Sequence, residues 1–213
     1  TFNQDIGAWN VGSVTNMTAV FQDADAFNQD ISDWDTSSVT TMYSVFKDNG
    51  AYNQAMPTSG SKWDVSNVLD MSQMFNGGVF NEDISSWVPS SVTNMYYMFG
   101  WNYVFNQDVS SWDVSSVVNM NAMFYQCRAF NQPLAGWGSK TSNVTNMSSM
   151  FYNCDVFNQP LAAWDVSSVT DMSYMFYLAH TFNQPLDAWG ADVSSVTNMR
   201  EMFRSCTAFN QNL

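Results

Sequence analysis

The sequence predicts an α/β solenoid of about eight repeats, with a parallel sheet on one side and short helices on the other. A similar segment recurs every 25–28 residues along the 213-residue chain, and each copy holds a short alternating apolar stretch followed by an apolar stripe with helical spacing. Such units cannot bury their apolar faces alone, so equivalent copies must stack. We expect one repeat domain over residues 1–213, with copies 1 to 8 starting at Phe2, Phe27, Tyr52, Phe80, Phe105, Phe130, Phe157 and Phe182.

The strand of each copy is predicted from the spacing L-x-x-L-x-L. In copy 2 this spacing is formed by Ile31, Trp34 and Thr36, and copies 5 and 7 have the same pattern. Alternate residues of a strand point to one face, so the last two side chains of each pattern are expected on the inner face of the sheet.

The helix of each copy is predicted from the residues that follow the strand. Val39, Met42, Val45 and Phe46 fall at i, i+3, i+6 and i+7, which is the spacing of an apolar stripe on a short helix. Ser37 and Ser38 precede this stripe, and serine is a favoured N-cap residue.

Stacked copies place each side chain beside its own counterpart, about 4.8 Å away if the copies pair as strands. The sequence therefore predicts buried columns of identical residues and a ladder of buried Asn amides that satisfies turn backbone groups. The expected Trp column is Trp9, Trp34, Trp63, Trp87, Trp112, Trp137, Trp164 and Trp189, and the Phe column is Phe21, Phe46, Phe75, Phe99, Phe124, Phe151, Phe176 and Phe203. The Met column runs from Met17 to Met199, and the Asn ladder from Asn3 to Asn210.

Charge and composition disfavour several classes of function. The net charge is −13, with 19 acidic and six basic residues, so nucleic acid and anionic membrane surfaces are unfavourable partners. No apolar run is long enough to insert into a membrane. His180 is the single histidine, which leaves no His-based triad or multi-His metal site. We therefore expect no enzyme activity, no catalytic residues and no cofactor.

Cys127, Cys154 and Cys206 occupy a position that other copies fill with Ala, which favours small, packed side chains. Cys127 and Cys154 lie in adjacent copies, so a disulfide between them is geometrically possible. Parallel Cβ directions make that bond the less favoured alternative.

Acidic residues in register suggest a weak calcium hypothesis. Asp5 and Asp30 are equivalent residues of adjacent copies, and so are Asp83 and Asp108. Paired carboxylates stay solvated, gain a proton or recruit a hard cation. Because the columns are interrupted and no calcium-loop motif occurs, we favour solvated surface acids and assign no metal site.

Two further surface features are predicted. Tyr96, Tyr97, Trp101 and Tyr103 lie outside the core positions and form a possible contact patch for a glycan or a protein. The sequons at Asn16, Asn143 and Asn146 are possible glycosylation sites, although chance matches are common in a chain rich in Asn, Ser and Thr.

The segment SSVTNMSSMFYNCDVFNQPL resembles the repeats of BspA-type leucine-rich-repeat surface proteins. That family includes a bacterial surface-protein repeat of about 25 residues and a domain of unknown function first noted in mycoplasma lipoproteins. The resemblance covers essentially the whole chain. It implies a leucine-rich-repeat-like solenoid at the cell surface or outside the cell, and it carries no catalytic residues.

The chain begins and stops within a repeat, so we expect further repeats, or identical chains stacked end to end, to continue the apolar core. The leading hypothesis is a structural and adhesive segment of a surface protein that acts as a spacer or filament. The alternative hypothesis is a module that binds a glycan or a protein through variable surface positions.

Overall fold

The structure, a computed structural model, describes residues 2–56 and 62–212. Its copies lie side by side in sequence order, and equivalent residues of neighbouring copies form isolated parallel β-bridges. This chain of bridges joins all eight copies, running Asn16, Thr41, Asp70, Asn94, Asn119, Asn146, Asp171 and Asn198.

The prediction of a parallel sheet is wrong. Within residues 2–56 and 62–212, copies pair through single bridges and no run of consecutive paired residues forms a strand. The stretch predicted as a strand begins with a turn instead, in which the Trp34 amide donates to the Ile31 carbonyl at 3.0 Å. A second turn follows it directly, where the Val39 amide donates to the Thr36 carbonyl at 2.9 Å. Amides that close local turns are not available to build a ladder.

The prediction of short α-helices is also wrong. In copy 2, the amides of Met42, Ser44, Phe46 and Asp48 donate to carbonyls of copy 3 at 2.7–2.9 Å instead of to residues four positions back. The amides between them close turns three residues back, as Lys47 does to Ser44 at 3.2 Å. Residues 2–56 and 62–212 therefore contain neither layer of the predicted leucine-rich-repeat-like solenoid, and the copies form a stack of turns.

Left-handed backbone conformations make this path possible. Two residues in every copy, four positions apart, have φ between 51° and 70°, and 15 of these 16 residues are not glycine. One such residue costs about 1–2 kcal/mol, so the cross-copy hydrogen bonds and the packing must offset this strain. The residues are Ala19, Ser44, Gln73, Tyr97, Ala122, Ser149, Tyr174 and Glu201, followed in each copy by Asp23, Asp48, Gly77, Trp101, Gln126, Asn153, Leu178 and Ser205.

Regular helix in the described chain is limited to three 3₁₀ segments, Ala135–Thr141, Asp187–Trp189 and Asp192–Ser195. All three lie in the longer copies 6 and 8, close to the column tryptophans Trp137 and Trp189. The extra residues of copy 3 fall at 57–61, outside the described residues. None of the described helices is long and apolar enough to cross a membrane.

The predicted aromatic and methionine columns are confirmed through the middle of the stack. Neighbouring rings of the Phe column have centroids 5.5–5.8 Å apart, wider than the expected 4.8 Å. A second column, formed by the first aromatic residue of each copy, packs 3.8–4.5 Å from the Phe column. The end copies are more open: Trp9 is 62% exposed and Met199 is 47% exposed.

The Trp column also contributes hydrogen bonds between copies. Six indole N–H groups donate to a backbone carbonyl of the preceding copy at 2.8–3.1 Å, for example Trp112 to Ile84. Each of these six tryptophans therefore fills the core and joins two copies through a hydrogen bond.

The predicted Asn ladder is present, although its side chains are half-buried or exposed and not buried. Each Asn Oδ1 accepts the amide of the equivalent Asn in the next copy at 2.7–3.0 Å, from Asn3 through to Asn210. In seven of these steps the following Gln also donates to that Oδ1.

Candidate ligand-binding surface

Exposed and half-buried aromatic side chains form a continuous row along copies 4 to 7. The centroids of Tyr125 and Tyr152 are 4.5 Å apart, and those of Tyr152 and Tyr177 are 4.7 Å apart, with both pairs stacked. At the copy 4 end, Trp101 lies 5.3 Å from Tyr125 and 6.4 Å from Tyr103. We call this set the aromatic row: Tyr96, Tyr97, Trp101, Tyr103, Tyr125, Tyr152, Tyr174 and Tyr177.

Backbone hydrogen bonds hold the aromatic row in register. The left-handed residues Trp101, Gln126 and Asn153 donate their amides to the carbonyls of Tyr125, Tyr152 and Tyr177, respectively, each at 2.7 Å. Because every tyrosine carbonyl is fixed by the preceding copy, the rings of successive copies start from equivalent positions and stack.

All three arginines of the chain lie over tyrosine rings of the row. The guanidinium carbon of Arg128 is 5.0 Å from the centroid of Tyr103. Those of Arg200 and Arg204 are 5.6 and 5.7 Å from Tyr174 and Tyr177, respectively. Distances below about 6 Å are typical of cation–π contacts.

A column of equivalent polar residues runs beside the row. Tyr103, Arg128, Asp155 and His180 occupy the same position in copies 4 to 7. Arg128 Nε is 4.0 Å from Asp155 Oδ2, and His180 Nδ1 is 3.2 Å from Asp155 Oδ1. Each member of the column therefore faces a chemically complementary neighbour.

The copy 4 end of the row borders a shallow concavity between copies 3 and 4, which we call the cradle. Gln73, Asn76, Tyr96, Tyr97 and Trp101 line it, and its volume is roughly 230 Å³. Pockets for drug-sized ligands are about 300–1,000 Å³, so this space suits a single ring-sized group. The lining combines aromatic surface with two side-chain amides and has no charged residue.

Asn76 is the most unusual residue of the cradle. The residue is only 7% exposed, and its side-chain amide lines the cradle without a hydrogen bond to another residue in the described part of the chain. Because this amide opens to the cradle, its two donors and its acceptor are available to a ligand. Gly100 lets the side chains of Asn76 and Tyr97 lie against the backbone of copy 4. Any larger residue at this position would place its Cβ too close to Asn76 Nδ2, at 2.8 Å, and to Tyr97 Cδ1.

The surface around the row is much less acidic than the rest of the protein. In copies 3 to 8, the segments from the first Met to the next aromatic–Asn pair contain Arg128, Arg200, Arg204 and His180 against only two acids, Asp155 and Glu201. The segments are 71–80, 95–105, 120–130, 147–157, 172–182 and 199–209. The strong negative charge of the chain therefore resides on other parts of its surface.

Burial also affects the row hydroxyls. It raises the pKa of Tyr97 to about 12 and raises the pKa of Tyr152 above its ordinary value. Both phenols therefore stay protonated at neutral pH and keep an O–H group able to donate a hydrogen bond.

The structure brings the predicted contact-patch residues Tyr96, Tyr97, Trp101 and Tyr103 together. Sequence reasoning missed Tyr125, Tyr152 and Tyr177, although a signal was available, since all three directly follow the column Phe of their copies. The roles of Asn76 and Arg128 depend on contacts between copies and were not visible in the pattern.

The paired acids of the calcium hypothesis cap local turns. Asp5 accepts the amide of Gly7 at 2.9 Å, and Asp30, Asp83 and Asp108 accept the amide of the serine two residues later at 2.8–2.9 Å. The backbone hydrogen bonds from Ser32 and Ser85 are the main cause of the lowered pKa values of Asp30 and Asp83. Across the described residues, no three His, Cys, Asp or Glu side chains come together as a metal site.

The three sequon asparagines occupy different environments. Asn16 is exposed and its Oδ1 accepts the Thr18 amide at 2.8 Å. Asn143 is exposed, and its Nδ2 donates to the Ser115 carbonyl at 2.7 Å. Asn146 is half-buried and accepts from Ser148. Glycosylation at these positions stays a prediction.

Cys127, Cys154 and Cys206 are buried free thiols, so the structure does not contain the possible disulfide between Cys127 and Cys154. Their thiols point to carbonyls of the preceding copy, for example Cys127 Sγ to Phe99 O at 2.8 Å and Cys154 Sγ to Phe124 O at 2.9 Å. Burial raises the thiol pKa at all three positions.

Comparison with known proteins gives one match. Three overlapping stretches, residues 1–59, 55–141 and 138–213, match the family model described as "Mycoplasma protein of unknown function, DUF285". No curated protein matches the chain, and no solved structure does. The comparison supports the mycoplasma part of the resemblance noted in the sequence and gives no support to its leucine-rich-repeat part.

Proposed function

Since the chain belongs to the DUF285 family of repeat proteins over its whole length, we propose that it is a non-enzymatic carbohydrate-binding scaffold of a cell-surface or extracellular protein. The stack of copies supplies a fixed frame, and the cradle with the aromatic row supplies the binding surface.

The unpartnered amide of Asn76 carries this proposal. A sugar ring presents an apolar C–H face that packs on aromatic rings, and hydroxyls that both donate and accept hydrogen bonds. The cradle offers the matching groups, namely the rings of Tyr96, Tyr97 and Trp101 beside the amides of Gln73 and Asn76. Few oriented polar groups on a mostly aromatic wall are typical of small-molecule sites.

The length of the aromatic row favours a ligand of several sugars and not a single sugar. It continues from the cradle across the following copies without a break in ring contacts. A linear oligosaccharide lying along it would contact several copies at once. The structural and filament hypothesis, with identical chains or further repeats stacked end to end, stays a prediction of the sequence.

Isothermal titration calorimetry with chitohexaose, cellohexaose and hyaluronan hexasaccharide tests the proposal. We expect at least one of them to bind, and Trp101→Asn to weaken that binding by about tenfold or more, the loss typical of an interface hot spot. Copy 6 has Asn153 at the equivalent left-handed position, so the variant introduces a residue that the backbone already accepts. Ser205→Asn makes the same type of change in copy 8, away from the cradle, and is expected to leave binding unchanged.

Absence of binding by all three hexasaccharides at millimolar concentration would overturn the carbohydrate proposal. Equal weakening by Trp101→Asn and Ser205→Asn would show that any binding lies elsewhere.

A further inference from the structure

We propose that the glycan is acidic and linear, with a neutral sugar ring in the cradle and a sugar carboxylate on Arg128. This inference rests on the proposed carbohydrate-binding function and adds the chemical class of the ligand and a residue that selects it.

Arg128 has donors available for a carboxylate. One face of its guanidinium covers Tyr103 at 5.0 Å, and its side chain is 51% exposed. Its Nη2 donates weakly to Gln126 Oε1 at 3.3 Å, and its Nε is 4.0 Å from Asp155, too far for a hydrogen bond. A guanidinium has five N–H donors in a planar fork that matches a carboxylate, so most of this fork stays open.

Arg128 is connected to the cradle through one side chain. Tyr103 contacts Trp101 of the cradle at 6.4 Å on one side and Arg128 on the other. A ligand that fills the cradle and extends toward copy 5 therefore passes over Tyr103 and reaches the guanidinium. Trp101 of the cradle lies in copy 4 and Arg128 lies in copy 5. Two groups in adjacent copies can contact adjacent sugars of one linear chain.

The charge distribution permits an anion here despite the net charge of −13. The cradle segments of copies 3 and 4, residues 71–80 and 95–105, contain no acidic residue. Asp155, which faces both Arg128 and His180, is the acid on the same surface nearest in sequence to Arg128. At physiological ionic strength exposed charges beyond about 8 Å are largely screened, so the acids of other surfaces contribute little.

Two ligands that differ only in their carboxyl groups measure what the carboxylate contributes to binding. Hyaluronan hexasaccharide alternates N-acetylglucosamine with glucuronate, and chemical reduction of its carboxyl groups gives a neutral hexasaccharide of the same backbone. By calorimetry we expect the acidic form to bind the unmodified protein about tenfold more tightly than the reduced form, the scale of one charge-assisted hydrogen-bonded pair.

Three variants assign that preference to Arg128. Arg128→Thr introduces the residue that copy 8 has at the equivalent position, Thr207, and is expected to bind both forms with the same affinity. Arg128→Lys keeps the charge and is expected to keep part of the preference. Lys62→Gln removes one positive charge from a different surface of the stack, near Asp35, and is expected to leave the preference unchanged.

The outcomes separate this inference from the proposed function. If the two forms bind the unmodified protein equally, or if Arg128→Thr weakens both equally, the ligand class is wrong while carbohydrate binding stands. If neither form nor the neutral hexasaccharides bind, the proposed function itself fails, and binding of a proline-rich peptide instead would assign the aromatic row to protein recognition.

Discussion

Tyr152 and Tyr177 stack with ring centroids 4.7 Å apart and ring planes at 12°, although each belongs to a different copy of the repeat. The spacing follows from the backbone and not from the rings, since the Asn153 amide donates to the Tyr177 carbonyl at 2.7 Å. The same relationship recurs between Tyr125 and Tyr152. Surface side chains that differ freely among copies are therefore displayed on a fixed lattice.

Replacing Tyr152 should measure what the row contributes to stability. Tyr152→Gln introduces the residue of copy 1 at this position, Gln22, and removes two ring pairs. One aromatic pair contributes about 0.5–1.5 kcal/mol beyond area burial, so we expect the free energy of unfolding in urea to fall by about 1–3 kcal/mol. Tyr43→Ser is the control, because Tyr43 has no ring partner in the described part of the chain. Equal losses in both variants would mean that ring stacking is not the cause.

The Asn ladder should be sensitive to loss of its acceptor. Asn106 Oδ1 accepts the Asn131 amide at 2.9 Å and Gln132 Nε2 at 3.2 Å. Asn106→Ala leaves the Asn131 amide without its acceptor, while Gln132 Nε2 keeps its hydrogen bond to the Asn106 backbone carbonyl at 3.0 Å. We expect a loss of about 1–3 kcal/mol in the free energy of unfolding. Asn106→Asp retains an acceptor oxygen and is expected to lose less. The urea unfolding midpoints of the two variants test this expectation. A larger loss of stability in Asn106→Asp than in Asn106→Ala would contradict the role of Asn106 Oδ1 as the acceptor.

The sequence predicted the side-chain columns well and the backbone poorly, and both results have one cause. A repeat reports which residues are equivalent, so the columns of Trp112 and Phe124 follow from register alone. It does not report which amides bond within a copy and which bond across copies. Val39, Met42 and Phe46 fit a helical stripe and also fit a series of turns with buried alternate residues.

In the candidate site, too, the sequence identified individual residues but not the contacts between copies. Trp101 and Tyr103 were identified because they depart from the core pattern. The stacking of Tyr125 on Tyr152 and the unpaired state of Asn76 arise between copies, and the second depends on Gly100 leaving space for Tyr97. Left-handed conformations at residues such as Trp101 and Leu178 have no signal in residue type, because bulky side chains rarely adopt them.

The three buried cysteines should make stability fall at alkaline pH. Burial raises the thiol pKa of the folded protein, to about 11 for Cys206. The unfolded thiol ionises near pH 8.5, so between these values the unfolded state loses protons first and the free energy of unfolding decreases as pH rises. Below about pH 8 this effect is absent.

A variant with all three cysteines replaced by Ala tests this pH dependence, because copies 1 and 7 already have Ala24 and Ala179 at that position. We expect its urea midpoint to change less than that of the unmodified protein between pH 7.5 and 9.5. We also expect the thiols of the folded protein to resist a disulfide-exchange reagent until urea is added. Rapid labelling of the thiols without urea would show that the cysteines are not buried. An equal pH dependence of the urea midpoint in the two proteins would show that the thiol pKa values are not raised by folding.

Adding a methyl group at Gly100 should disturb the cradle more than the fold. A Cβ there would lie 2.4 Å from Tyr97 Cδ1, and since this ring is half-exposed it can move. We expect Gly100→Ala to displace the ring and lower oligosaccharide affinity about tenfold, with a loss of less than about 1.5 kcal/mol in the free energy of unfolding. Gly50→Ala is the matched control, because a Cβ at Gly50 has its nearest neighbour at 3.9 Å. If the Gly100→Ala variant unfolds, or if it binds the hexasaccharide as the unmodified chain does, the space that Gly100 leaves for Tyr97 and Asn76 does not shape the binding site.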